Sequence, residues 1–116
     1  MNMNKALQQY SAVNRQTGIE DKNPHELILM LYEGAIDNLI KAKGCMQRND
    51  YAAKGELVNR ALTIIGGLQG FLDMEKGGDV AANLNRLYDY SNVTLFEASR
   101  DNNIERLMRW LISFVK

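Results

Sequence analysis

The chain has one cysteine, one proline and one histidine among 116 residues, and its fourteen basic side chains are matched by fourteen acidic ones. Each shortage removes a class of protein. A lone Cys45 cannot close an intrachain disulfide, which points to a reducing, cytoplasmic setting. His25, the sole imidazole, stands where a helix should begin and where the helix dipole disfavours its charged form, so it is a poor general base. The Glu-x-x-His pairs of a di-metal bundle are absent, and no histidine follows Cys45 to activate it as a nucleophile. Glu75-Lys76-Gly77-Gly78 is glycine-rich but lacks phosphate-loop spacing. Zero formal charge without a basic block argues against nucleic acid. The longest apolar run, Leu27 to Tyr32, is far short of a membrane span, and Met1 to Tyr10 carries no apolar stretch like that of a secretory signal. No catalytic residue, cofactor or metal is expected.

What is present has helical period. Apolar residues make up 46% of the chain and charged residues 24%, an ordinary globular mixture for one domain. In Asn23-Pro24-His25-Glu26, Asn23 suits a cap, Pro24 the first helical position and Glu26 a capping box. From Pro24 to about Gln47, residues Leu27, Ile28, Leu31, Ala35, Leu39, Ala42 and Met46 share one face. A break at Arg48-Asn49-Asp50 precedes a second helix over Tyr51 to Leu72, striped by Leu57, Ala61, Ile64, Ile65, Leu68 and Leu72. Glu75-Lys76-Gly77-Gly78-Asp79 reads as a sharp reversal with Asp79 as cap, after which Val80, Leu84, Leu87, Tyr88, Leu95 and Ala98 mark a third helix. Asp101-Asn102-Asn103 closes it, and Ile104 to Val115 makes a fourth.

The expected fold is therefore all-α: an antiparallel up-down four-helix bundle over residues 23–116, with core Leu31, Leu39, Leu57, Leu68, Leu84 and Leu87. Residues 1–22 are polar and rich in Asn and Gln. They read as a loosely docked arm with Tyr10, Val13 and Ile19 as anchors.

The apolar faces are wider than four packed helices require. A bundle helix needs a stripe of roughly 100°, whereas Ile104, Leu107, Met108, Trp110, Leu111, Ile112, Phe114 and Val115 span about 200° of the fourth helix. Leu29, Ile36 and Ile40 form a side stripe on the first helix, and Val93 and Phe96 lie off the core face of the third. Surplus apolar surface on a short chain has two readings: a partner, whether a segment of another protein or a second copy of this chain, or a further helical element or compact packing that buries wide faces internally. Gly66, Gly67 and Gly70 gather on one side of the second helix, each at a cost of about 0.5–1 kcal/mol against alanine.

Particular words narrow the choice. Asn23-Pro24-His25-Glu26-Leu27-Ile28-Leu29-Met30-Leu31-Tyr32-Glu33-Gly34-Ala35-Ile36 closely resembles the opening helix of the flagellar secretion chaperone family FliS. Lys54-Gly55, Asn59-Arg60-Ala61, Ile64-Ile65, Leu72-Asp73-Met74-Glu75-Lys76-Gly77-Gly78, Asn83-Leu84 and Leu87-Tyr88-Asp89-Tyr90 follow that family in order and spacing, and Tyr10 stands where it carries an arm tyrosine. The chain differs at Ser91-Asn92-Val93-Thr94, where the resemblance leads one to expect a methionine and a basic residue. The resemblance implies a four-helix chaperone that grips the disordered C-terminal segment of flagellin, blocks premature polymerisation and delivers its client to the flagellar type III export gate. Helical wheels together with this likeness give Leu29, Ile36, Ile40, Ile64, Phe71, Val93 and Phe96 as groove residues, with Tyr10, Val13 and Ile19 on a covering arm. A constitutive helical homo-oligomer or adaptor that self-associates through the same faces, a homodimer being the simplest form, is the alternative.

Overall fold

The computed structural model describes residues 23–115, with side chains through Ser113, and among these every regular element is an α-helix. Helix α1 spans Pro24–Gln47, α2 Tyr51–Gly70, α3 Met74–Arg100 and α4 Ile104–Val115. Turns at 48–50, 71–73 and 101–103 are too short for anything but a reversal, so consecutive helices pack side by side, and α4 returns against α1 to close the bundle.

Local chemistry explains the boundaries. Asn23 starts α1: its Oδ1 accepts the Glu26 N–H at 2.9 Å and its Nδ2 donates to Glu26 Oε1 at 3.2 Å, with Pro24 at the first helical position. Two turns share one design. At the end of α1, Asn49 takes a positive φ of 57°, the Asp50 N–H donates to the Cys45 carbonyl at 2.8 Å and the Asn49 N–H to Met46 at 3.2 Å. At the end of α3, Asn102 takes φ 49°, with Asn103 N–H bonded to Ala98 at 2.8 Å and Asn102 N–H to Ser99 at 3.1 Å. Both are Schellman closures built on asparagine, the residue that best tolerates the left-handed conformation after glycine. The residue following each asparagine caps the next helix: Asp50 Oδ1 accepts the Ala53 N–H, and Asn103 Oδ1 the Arg106 N–H.

The third break differs from expectation. The reversal comes earlier, at 71–73, because Asp73 accepts the N–H groups of Glu75 and Lys76 and so starts α3 at Met74; α2 correspondingly ends at Gly70, short of Leu72. The glycines act one turn later. Gly78, at φ 52° and ψ −129°, interrupts α3 in a conformation that side chains disfavour, and Asp79 follows that kink instead of the chain reversal.

Leu31, Leu39, Met46, Ile65, Leu95 and Leu107 are fully buried at the centre, and Leu68 is buried with them. Leu57 and Leu84, expected inside, are half-buried at the core's margin. Leu87 is 44% exposed and leaves the core altogether, because it sits on the shoulder of the α3 stripe. Val80 also faces outward. Polar ties brace the packing. Lys54, its side chain buried beside the Tyr51 ring, donates to the Ser99 carbonyl at 2.7 Å; Gln69 Nε2 donates to Asn85 and Asp89; Asn102 Nδ2 donates to the Met46 carbonyl, joining the two asparagine turns. The expected arm, residues 1–22 with Tyr10, Val13 and Ile19, lies outside the described residues.

Candidate functional site

An open cleft of about 430 Å³ lies where α1, α3 and α4 meet. Tyr32 comes from α1; Leu87, Tyr90 and Thr94 come from successive turns of one side of α3; Arg106, Arg109, Trp110 and Ser113 do the same on α4. The wall is thus apolar and aromatic with a cationic rim. Arg106 Nη2 contacts Glu97 Oε1 at 2.9 Å, tying α4 to α3 at the edge.

Behind the cleft the polarity continues inward. The Tyr32 and Tyr88 hydroxyls are hydrogen-bonded to each other, with ring centroids 6.4 Å apart and planes tilted by 52°. Burial, then the Tyr32 hydrogen bond and the neighbouring phenol, push the Tyr88 hydroxyl well above its ordinary pKa. One and two turns on, the buried hydroxyls of Ser91 and Thr94 have no hydrogen-bond partner among the described residues. Unpaired buried polar atoms are uncommon and costly, and Thr94 lines the cleft.

The groove residues expected from the sequence lie elsewhere, and none of the seven lines this cleft. Leu29, Ile40, Val93 and Phe96 are exposed, Phe96 by 56%. Ile36 and Phe71 are half-buried and pack against the core. Ile64 is 7% exposed and packs in the core with Ala61, Ile65 and Leu68 of the same α2 stripe. Tyr90, Val93 and Phe96, three residues apart on α3, instead make an outward apolar ridge starting at the cleft mouth. Sequence reasoning missed Tyr32, Tyr90, Thr94 and Arg109 and assigned Leu87 to the core. The signal that could have found Tyr32 is its place between Leu29 and Ile36 on the same side of α1.

Among the described residues no group of three or more His, Cys, Asp or Glu side chains could hold a metal, and no helix is long and apolar enough to cross a membrane. His25 is exposed and Cys45 buried. What the arrangement offers is contact area for an apolar chain, with directional donors at one end.

Geometry and lining together define a class: a small all-helical bundle with an open apolar cleft and exposed apolar ridges. The family model described as flagellar protein FliS matches residues 6–112. The flagellar secretion chaperone FliSB of Pseudomonas aeruginosa is 43% identical over 103 residues, covering 89% of this chain and 82% of the relative. The flagellar secretion chaperone FliS of Salmonella typhimurium is 37% identical over 102 residues, 87% of this chain and 76% of its own. That of Campylobacter jejuni is 37% identical over 107 residues, 92% and 80% of the two chains. The chain belongs to the FliS family of flagellar proteins.

Proposed function

We propose that this protein is a cytoplasmic export chaperone that holds the disordered C-terminal segment of flagellin, prevents its premature polymerisation and delivers it to the flagellar type III export apparatus. The observation that carries the reading is the apolar ridge of Tyr90, Val93 and Phe96, exposed and continuous with the cleft, on a chain whose relatives are named secretion chaperones. Apolar side chains presented in a row at helical spacing suit an amphipathic segment laid along the bundle. Leu29 and Ile40 extend the contact surface on α1, with Ile36 and Phe71 at its margin, and the arm residues Tyr10, Val13 and Ile19 cover it before the client arrives.

The energetics favour a wide, apolar grip over a deep pocket. A disordered client gives up about 2–5 kcal/mol in ordering, so it must bury substantial apolar area to leave useful affinity. Release at export in turn requires a surface of moderate strength. Titrating the full chain with a synthetic flagellin C-terminal peptide, while following mass by light scattering and helicity by circular dichroism, tests the proposal. A one-to-one complex with a gain in helix is expected. A stable dimer that ignores the peptide would transfer the exposed ridge to self-association and end the chaperone reading.

A further inference from the structure

We propose that the cleft between α3 and α4 is the client's carboxylate-recognition point. An acidic side chain of the bound segment meets Arg109 at the cleft mouth, while its apolar neighbours seat on Leu87, Tyr90 and Trp110. The inference rests on the export-chaperone reading and adds the chemistry by which the client is placed.

Charge is the first argument. The chain as a whole is neutral, yet both charged groups lining this cleft are guanidinium and no carboxylate lines it. Glu97 occupies Arg106 at 2.9 Å, whereas Arg109 has no ion-pair partner among the described residues. A guanidinium stays charged at all physiological pH and presents a planar fork that fits a carboxylate. Hydrogen bonding is the second argument. Tyr90 and Ser113, both exposed, present hydroxyls on this wall that can donate to an incoming oxygen. The unpartnered Thr94 hydroxyl lies behind them, closed to solvent. Cation and hydroxyls on a wall without a carboxylate complement an anionic oxygen. The aromatic and aliphatic remainder calls for an apolar chain around it, so the complementary ligand is an amphipathic segment with an acidic residue and not a free small anion.

The protein carries its own reporter, because Trp110 is its single tryptophan and lines the cleft. Full-length wild type, R109E, R109Q and R109K are titrated with a flagellin C-terminal peptide and with the same peptide carrying Asn and Gln for every Asp and Glu. Trp110 fluorescence is read in parallel with anisotropy of a labelled peptide. Wild type should bind the acidic peptide about tenfold more tightly than R109E does, with R109K intermediate, and neutralising the peptide should produce a similar loss in wild type but little in R109Q. Raising salt should weaken the wild-type complex more than the R109Q complex. Binding that is equal across the four proteins, or saturation without a change in Trp110 fluorescence, overturns the carboxylate point while leaving the chaperone reading intact. If wild type binds neither peptide, both proposals fall.

Discussion

Tyr88 is 3% exposed, and its hydroxyl meets that of Tyr32 behind the cleft. Burial first, and the Tyr32 hydrogen bond next, hold its pKa well above the ordinary 10.0, so the folded protein keeps a proton that the unfolded chain loses. The sign follows from linkage: this stabilisation is complete below about pH 10 and declines as pH rises beyond it. Tyr88→Phe should cost about 1 kcal/mol at neutral pH through the lost hydrogen bond, and it should also flatten the alkaline decline. Urea unfolding from pH 8 to pH 11 measures both, and an unchanged alkaline slope would remove Tyr88 as its source. At this scale the sequence was legible in the middle of each stripe and misleading at its edges. Leu31 and Leu39 are central to α1's face and are buried, whereas Leu87 lies on a shoulder where a helical wheel cannot say how far the neighbouring helix reaches. Thr94 shares that shoulder and is buried, an outcome its polarity concealed.

Among the elements, α1 has both ends, and α4 the start, that capping and turn chemistry predict, because Asn23-Pro24 and the Asn-Asp and Asn-Asn turns are strong local signals. The start of α3 was misread because Asp73 and Asp79 are both competent caps, and glycine next to the second suggested the reversal; Asp73 closes the turn, and Gly78 bends the helix that follows. The two asparagine turns permit a comparison. Alanine at Asn49 or Asn102 must hold a left-handed backbone, at a cost of about 1–2 kcal/mol. Asn102 also donates Nδ2 to the Met46 carbonyl across the bundle end, so Asn102→Ala should lose about 1 kcal/mol more than Asn49→Ala. Glycine at either site relieves the backbone cost but cannot replace the Asn102 bond, so Asn102→Gly should remain less stable than Asn49→Gly. Chemical denaturation of the four variants gives the answer, and equal losses at the two turns would discount the cross-bundle bond.

For the whole molecule, the apolar surplus was legible in the sequence but its location was only partly so. Wheel width revealed that α1, α3 and α4 own more apolar surface than a bundle consumes, while the cleft depends on where three helices meet, which no single wheel contains. On the proposed reading, folding and gripping draw on different residues, and they should separate on mutation. Val93→Ser with Phe96→Ser removes two exposed ridge residues, so each change should shift stability by less than about 0.5 kcal/mol. The client should nevertheless bind the double variant at least about tenfold more weakly, because the proposed contact would bury those side chains. Leu39→Ala makes the opposite case: the side chain is fully buried, so about 2–5 kcal/mol of stability is lost. Affinity should then change little under conditions where the variant remains folded. Isothermal titration paired with thermal unfolding of both variants resolves the two effects. Should the ridge variant bind normally, the Tyr90-Val93-Phe96 surface is not where the segment lies, and the grip must be sought in the cleft and along α1.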